Sequence, residues 1–134
     1  MAGDSILIVD DNLANLKLAR VLLLSEGFDV RTAQDAPEAI AILSAFRPRL
    51  ILMDIQLPGM DGIELTRLLK SNPSTRHIII LAMTAYAMKG DEQKALAAGC
   101  DGYLTKPIDT RAVPITIAEY LARARQDERR MEVR

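Results

Sequence analysis

Short apolar runs alternate along this chain with segments that have helical periodicity. Three runs, at residues 6–9, 50–53 and 78–83, are apolar throughout, which is typical of strands covered by helices on both faces. A weaker run at 102–105 predicts another strand. Residues 28–33 alternate apolar and polar side chains, and this pattern predicts a half-exposed strand at the edge of a sheet.

The segment after residue 35 shows how the helices can be recognised. Apolar residues recur there at spacings of three and four, and Asp35, Pro37 and Glu38 supply a capping side chain, a first-turn proline and a first-turn acid. Asp61 and Glu64 repeat the capping arrangement before another such segment. Similar signals predict further helices over about residues 12–26, stopping at Gly27, then up to Gly99, and from Asp109 or Thr110 onwards.

These patterns give a strand followed by a helix, repeated along the whole chain. The connections between strands are too long for hairpins, so we expect parallel strands with helices on both faces of the sheet. Because crossover connections are right-handed, a doubly wound α/β sheet is the predicted fold class.

Composition agrees with one soluble domain and excludes several classes of function. The 134 residues are 49% apolar and 26% charged, as in ordinary globular domains. A net charge of −1 and only 4% aromatic residues argue against direct nucleic-acid binding. One cysteine and one histidine can form neither an internal disulfide framework nor a Cys/His zinc site. No apolar run approaches the roughly 20 residues that span a bilayer, and the N-terminus lacks a secretion signal, so a cytoplasmic location without membrane contact is expected.

Polar residues follow the predicted strands at one edge of the sheet, where the carboxyl ends of parallel strands meet and ligands bind. Asp10 and Asp11 follow the first strand, Asp54 the third, Thr84 the fourth and Lys106 the fifth. Clustered carboxylates repel one another and bind hard divalent cations, and a site with few protein oxygens favours magnesium. A lysine nearby suits a phosphate group. The pattern therefore predicts a magnesium-dependent phosphate site.

Such a site supports phosphoryl transfer, and a carboxylate beside the metal can attack phosphorus to form an aspartyl phosphate. Spacing alone does not decide which aspartate is the nucleophile. Three functions are compatible with the fold class: a phosphorylation switch that binds partners, a flavodoxin-like flavin carrier, and a metal-dependent phosphatase. Asp10 and Asp11 would repel a flavin phosphate, and Gln56 stands where such a phosphatase would need a second acid. These residues argue against the flavin carrier and the phosphatase.

Several motifs together resemble the receiver domains of two-component response regulators. The likeness covers about residues 5–122 and rests on motifs that occur in order at fitting distances: ILIVDDN at 6–12, LILMDIQLPGMDG at 50–62, AMTA at 82–85 and YLTKP at 103–107. The segment TAYAMKGD at 84–91 is similar to that of stand-alone members of the family.

The resemblance implies a fold and a division of the chain. We expect a flavodoxin-like parallel sheet of five strands in the order 2-1-3-4-5, with five helices. The receiver domain would span residues 1–122, and residues 123–134 would be a charged C-terminal helix end or tail. No linker or output domain is expected to follow in this chain.

The resemblance also implies roles for the site residues. Asp54 matches the phosphoacceptor, with magnesium as the cofactor. Asp11, Asp54 and the backbone carbonyl of Gln56 would be the metal ligands, and Asp10 would act chiefly through water. Lys106 would pair with the phosphoryl group. The chain would assist its own phosphorylation and dephosphorylation without being an enzyme for a separate substrate.

A switch mechanism is implied as well. Thr84 matches the hydroxyl that moves toward the phosphoryl oxygens, and Tyr103 matches the aromatic residue that follows it inward. The bond between Lys106 and Pro107 would be a cis peptide.

The implied partners are a histidine kinase or histidine phosphotransferase as donor and a downstream protein as target, with the chain a monomer or weak dimer. The first helix carries more leucines than one sheet-facing stripe requires. If Leu18 faces the sheet, Leu13 and Leu16 lie near solvent, and we expect them to form the donor-docking surface together with Pro107 and Ile108.

Overall fold

The structure is a computed structural model that describes residues 3–84, 90–106 and 109–133, with side chains as far as residue 129. Strands and helices alternate along the described chain, as the apolar pattern predicts. In chain order the elements are β1 (Ser5–Val9), α1 (Leu13–Ser25), β2 (Asp29–Ala33), α2 (Ala36–Leu43), β3 (Leu50–Asp54), α3 (Gly62–Ser71), β4 (Ile79–Thr84), α4 (Asp91–Ala98), β5 (Gly102–Thr105) and α5 (Ala112–Val133).

The strands form a parallel sheet in the order β2-β1-β3-β4-β5, which confirms the predicted topology. The register aligns Val9 with Met53 and Asp54 with Met83. Thr84 is aligned with Thr105, the last residue of β5. The ends of β1, β3, β4 and β5 therefore lie side by side at one edge of the sheet.

Successive strand residues contribute to two separate hydrophobic cores, because side chains alternate between the faces of a sheet. Leu7 and Val9 of β1 pack in the core with residues of α2 and α3. Ile6 and Ile8 pack in the other core, with residues of α1 and α5. The sheet is thus the middle of three layers, and burial on both faces explains why the central strands are apolar throughout.

The orientation of α1 differs from the one expected. Leu16, Ala19 and Leu23 form its buried stripe, whereas Leu18 is 46% exposed. The prediction that Leu16 faces solvent and Leu18 faces the sheet is therefore wrong. Leu13 is 55% exposed, in line with the expectation for that residue. The helix is apolar over most of its circumference, so its sequence does not define one sheet-facing stripe.

The last helix begins at Ala112, two or three residues later than expected. The Asp109 carboxylate accepts hydrogen bonds from the backbone N–H groups of Arg111 and Ala112, at 2.9 and 3.2 Å. Asp109 therefore caps the start of the helix. Pro114 lies in the first turn of α5, where its missing N–H would have no partner within the helix.

The charged end of the chain continues α5 through Val133. Arg125 donates two hydrogen bonds to the Asp4 carboxylate, at 2.6 and 2.8 Å, and Arg49 forms an ion pair with Glu128 at 3.4 Å. Asp4 and Arg49 immediately precede β1 and β3, so these contacts hold α5 at the amino edge of the sheet. Among the described residues, no helix is both long and apolar enough to cross a bilayer.

Gly62 begins α3 directly against the end of β3. A methyl group at this position would overlap the backbone of Asp54 and Ile55. The Gly62 N–H donates a hydrogen bond to the Ile55 carbonyl at 3.2 Å. The absence of a side chain therefore lets α3 pack closely on the backbone that carries Asp54.

We expect Gly62→Ala to lower the free energy of unfolding by about 1–3 kcal/mol, because the added methyl meets backbone that cannot move aside. Gly102→Ala is the matched control, since its methyl would meet side-chain atoms of Tyr120 and Leu81. Urea denaturation of both variants measures the difference. A free energy of unfolding for Gly62→Ala equal to that of the wild type would show that the close approach at Gly62 is not a constraint on the fold.

Candidate functional site

Three carboxylates meet at the carboxyl edge of the sheet. Asp10 and Asp11 directly follow β1, and Asp54 is the last residue of β3. Each offers an oxygen, and these oxygens all lie within 4.8 Å of one another. Asp10 and Asp54 are 1% and 3% exposed, while Asp11 is open to solvent. The site therefore has two buried acids at its floor and one acid at its mouth.

The two buried aspartates are held in the same way. Asp10 Oδ1 accepts a hydrogen bond from the backbone N–H of Asn12, and Asp54 Oδ1 accepts one from the backbone N–H of Gln56, both at 2.9 Å. Each bond closes a short turn of the Asx type immediately after a strand. Both carboxylates are therefore fixed by their own backbone through one oxygen, which leaves Oδ2 for other contacts.

Lys106, the residue after β5, places its ammonium group between these two oxygens. Its Nζ lies 2.9 Å from Asp10 Oδ2 and 3.1 Å from Asp54 Oδ2, and it donates a hydrogen bond to Asp54. The backbone N–H of Lys106 donates to the Thr84 carbonyl at 2.7 Å, which ties the start of this loop to β4. One partly buried cation therefore balances part of the charge of the two buried acids.

The protonation states of this group follow from burial and charge. Burial raises the pKa of the Asp10 carboxyl above its ordinary value, although the hydrogen bond from Asn12 and the nearby Lys106 act to lower it. Burial lowers the pKa of Lys106, but contacts with Asp10 and Asp54 outweigh this effect and the pKa is raised. Lys106 is therefore a permanent cation at neutral pH.

Thr84 lies at the carboxyl edge of the sheet beside the acidic cluster, and Tyr103 lies on β5 at the position aligned with Ala82. Thr84 ends β4 and is fully buried, one residue beyond the position aligned with Asp54. Burial and the Asp91 and Glu92 carboxylates raise the pKa of the Tyr103 hydroxyl, and a hydrogen bond with Thr84 acts to lower it. The Thr84 and Tyr103 side chains therefore connect the site with the first turn of α4.

Of the remaining residues predicted for the site, some lie close to the acidic cluster and others do not. Gln56 is exposed beside Asp54, and Leu13 is exposed at the start of α1, close to Asp11. Leu16 is buried in the core and is removed from any docking surface. Pro107 and Ile108 lie outside the described residues, as does the peptide bond between Lys106 and Pro107.

Two features of the site were missed by sequence reasoning. Lys106 contacts Asp10 as closely as Asp54, which residue spacing cannot show because it depends on side-chain reach. Gly62 supports the backbone of Asp54 from α3. The signal for this close approach was a glycine directly after a capping aspartate, at the first position of a helix. Gly62 does not have a positive φ, so what the position requires is the absence of a side chain.

The donor set fits a hard divalent cation. Carboxylate oxygens are the ligands that magnesium prefers, and magnesium is held in proteins by one or two carboxylates with water completing its shell. Asp10 Oδ2 is buried and lies 2.9 Å from the Lys106 ammonium. Three carboxylates face this one ammonium, so the cluster keeps negative charge that a divalent cation, or a water that the cation holds, can balance.

Comparison with known proteins agrees with this geometry. The model of the response regulator receiver domain family matches residues 6–118. The polar-differentiation response regulator DivK of Brucella anthropi is 43% identical over 120 residues, which cover 90% of this chain and 98% of that protein.

Solved structures have the same fold. The receiver domain of a sensor histidine kinase from Pseudomonas aeruginosa has a TM-score of 0.82 and 33% identity, covering 90% of this chain and 99% of its own. That structure holds a magnesium ion in its active-site cleft. A CheY-like receiver domain protein from Methanospirillum hungatei has a TM-score of 0.86 and 32% identity, over 94% of this chain and 99% of its own. The chain belongs to the receiver-domain family of two-component response regulators.

Proposed function

We propose that this receiver domain is a phosphorylation switch in which Asp54 accepts a phosphoryl group from a phosphohistidine donor. The observation that carries the proposal is the contact between the buried Asp54 carboxylate and the Lys106 ammonium, 3.1 Å apart, inside a cluster of carboxylates. Asp54 is the acid that lies at the end of the central strand β3, with Asp10 and Asp11 on one side and Thr84 on the other.

Transfer requires little covalent chemistry from the protein. An Asp54 carboxylate oxygen forms a bond to phosphorus while the bond from phosphorus to the histidine nitrogen breaks, and its electron pair stays on that nitrogen. Lys106 moves its hydrogen bond from Asp54 Oδ2 to a phosphoryl oxygen, where it balances developing negative charge. The chain thereby assists its own phosphorylation, and it assists dephosphorylation by the same contacts.

Asp11, Asp54 and the backbone carbonyl of Gln56 are the residues that would hold magnesium, with Asp10 acting chiefly through water. The hydrogen bond from Gln56 N–H to Asp54 keeps the Gln56 backbone beside the site, which supports its carbonyl as a ligand. Magnesium, when bound, neutralises charge on the phosphoryl oxygens and on the acids that surround them.

The output follows from Thr84 and Tyr103. New phosphoryl oxygens on Asp54 offer acceptors to the Thr84 hydroxyl, which at present interacts with Tyr103. Movement of Thr84 toward the site frees Tyr103 to change its position near Asp91 and Glu92 of α4. Phosphorylation then shifts a two-state equilibrium of this surface, which a downstream protein target reads in the cytoplasm.

The phosphoryl donor is proposed to be a histidine kinase or a histidine phosphotransferase that contacts the rim of the site. Leu13 supports this proposal because it is a large apolar side chain, exposed, two residues after Asp11. Leu16, now known to be buried, has no part in it.

We expect wild-type protein incubated with acetyl phosphate and magnesium to gain one phosphoryl group by intact-mass measurement. Asp54→Asn should gain none, because the amide is not a nucleophile for phosphorus. Asp29→Asn is the control, since Asp29 is an exposed aspartate at the far end of β2. Full labelling of Asp54→Asn would show that another residue is the phosphoacceptor.

Magnesium should stabilise the wild-type fold by about 1.4 kcal/mol at ten times its dissociation constant, a shift of a few degrees in the melting temperature. Asp11→Asn should reduce this shift by removing a ligand. The shift should also shrink as the pH is lowered, because the raised pKa of Asp10 lets protons compete with the cation. Thermal denaturation at constant ionic strength tests this, and an unchanged shift in Asp11→Asn would contradict the ligand assignment.

Leu13→Glu should slow phosphotransfer from a phosphohistidine donor about tenfold while labelling by acetyl phosphate stays at the wild-type rate. Val21→Glu is the matched control, because Val21 is 63% exposed on the same helix but two turns farther from the site. Equal rates for wild type and Leu13→Glu with the donor would place the docking surface elsewhere.

A further inference from the structure

The outer side of β2 presents free backbone groups. The Asp29 N–H donates to the Asp4 carbonyl and the Ala33 carbonyl accepts from the Asp10 N–H, so alternate residues of β2 point toward β1. In a parallel strand the residues between them point the other way. The N–H and C=O groups of Val30 and Thr32 therefore face outward, and within the described residues no backbone hydrogen bond meets them.

A groove of about 650 Å³ runs along this edge. Its floor is the edge of β2, and its walls come from α1, from the end of α2 and from the segment that follows α2. Two arginines lie on opposite sides of it. Arg20 reaches it from α1, and Arg31 projects from β2 on the other face, where its guanidinium lies 5.2 Å from the centre of the Phe46 ring. That contact holds a cation beside the open strand edge.

We propose that the β2 edge binds an extended peptide segment with two consecutive acidic residues, which adds to the sheet as a sixth strand. The outward groups of Val30 and Thr32 supply the backbone hydrogen bonds for strand addition. Side chains of an added strand alternate between the two faces of the sheet. Neighbouring acids on the peptide therefore reach Arg20 on one face and Arg31 on the other.

Charge and shape select this occupant over others. Both arginines are exposed and neither forms an ion pair with an acid among the described residues. Asp29, at the start of the strand, faces the same side as Arg31. A basic residue two positions along the peptide from the acid that reaches Arg31 would therefore lie near Asp29 and improve the charge match. The site is separate from the acidic cluster, because none of the residues that line the groove belongs to that cluster.

The probe is a fluorescein-labelled nonapeptide of threonine and valine with two adjacent glutamates at its centre. Fluorescence anisotropy should show saturable binding to the wild-type chain and two- to fivefold weaker binding to Arg20→Ala and to Arg31→Ala, as befits exposed charge pairs. Arg67→Ala, which removes an exposed arginine of α3, is the matched control and should bind like wild type. A peptide with its glutamates two positions apart places both on one face and should bind more weakly.

The backbone part of the proposal has its own test. Thr32→Pro removes an N–H that faces outward and leaves the hydrogen bonds to β1 in place, a position where strands accept proline. This variant should lose binding at least tenfold with an unchanged circular dichroism spectrum. Where the variant does not fold, the wild-type protein is tested with a peptide N-methylated at alternate residues, which should also bind at least tenfold more weakly. Asp54→Asn should bind the peptide like wild type, so this result is independent of phosphorylation.

Three outcomes would overturn the proposal. Unchanged peptide binding by the Arg20 and Arg31 variants would show that the two arginines do not recognise the acidic residues. Loss of binding in those variants, with full binding by Thr32→Pro and by the N-methylated peptide, would indicate a general electrostatic contact instead of strand addition. A concentration-dependent dimer in sedimentation that Thr32→Pro abolishes would identify a second copy of this chain as the occupant of the edge.

Discussion

The contact of one ammonium group with two buried carboxylates sets the conditions for the rest of the site. Without Lys106, Asp10 and Asp54 would place two carboxylates together in a region removed from water, where burial already raises the pKa of Asp10. Lys106 offsets part of this negative charge and donates a hydrogen bond to the Asp54 carboxylate at 3.1 Å. Lys106 must also be able to form a hydrogen bond to a phosphoryl oxygen when phosphate is bound. Its position between the two carboxylate oxygens allows this.

This arrangement is a consequence of parallel topology. Asp10, Asp54, Thr84 and Lys106 come from segments far apart in the sequence, yet each stands at or directly after the carboxyl end of a strand. Parallel strands bring all these ends to one edge. Close packing of α3, made possible by Gly62, then fixes the backbone from which Asp54 projects. Ion pairs that hold α5 lie at the opposite edge, so the interactions that hold the fold there are separate from the acidic cluster.

Sequence patterns predicted most of the fold because their physical causes are local. Continuous apolar runs require burial on both faces, and capping aspartates such as Asp35 and Asp61 accept hydrogen bonds at the helix starts where they were expected. The convergence of acids on one edge followed from topology alone. The orientation of α1 could not be predicted in this way, because Leu13, Leu16 and Leu18 are chemically alike and only packing against the sheet distinguishes them. The double contact of Lys106 likewise depends on side-chain reach in three dimensions.

The short turns that fix Asp10 and Asp54 also reduce the side-chain entropy that is lost when a ligand binds. A free carboxylate loses rotational freedom when a cation or phosphate orders it, and that loss subtracts from affinity. Here one oxygen of each acid is already ordered by a backbone N–H, at 2.9 Å in both cases, before any ligand arrives. The site is therefore preorganised, and the entropy of arranging its acids is lost when the chain folds. Ligand exchange can then proceed with little rearrangement of the acids, which leaves the hydroxyl and aromatic side chains nearby as the parts that respond.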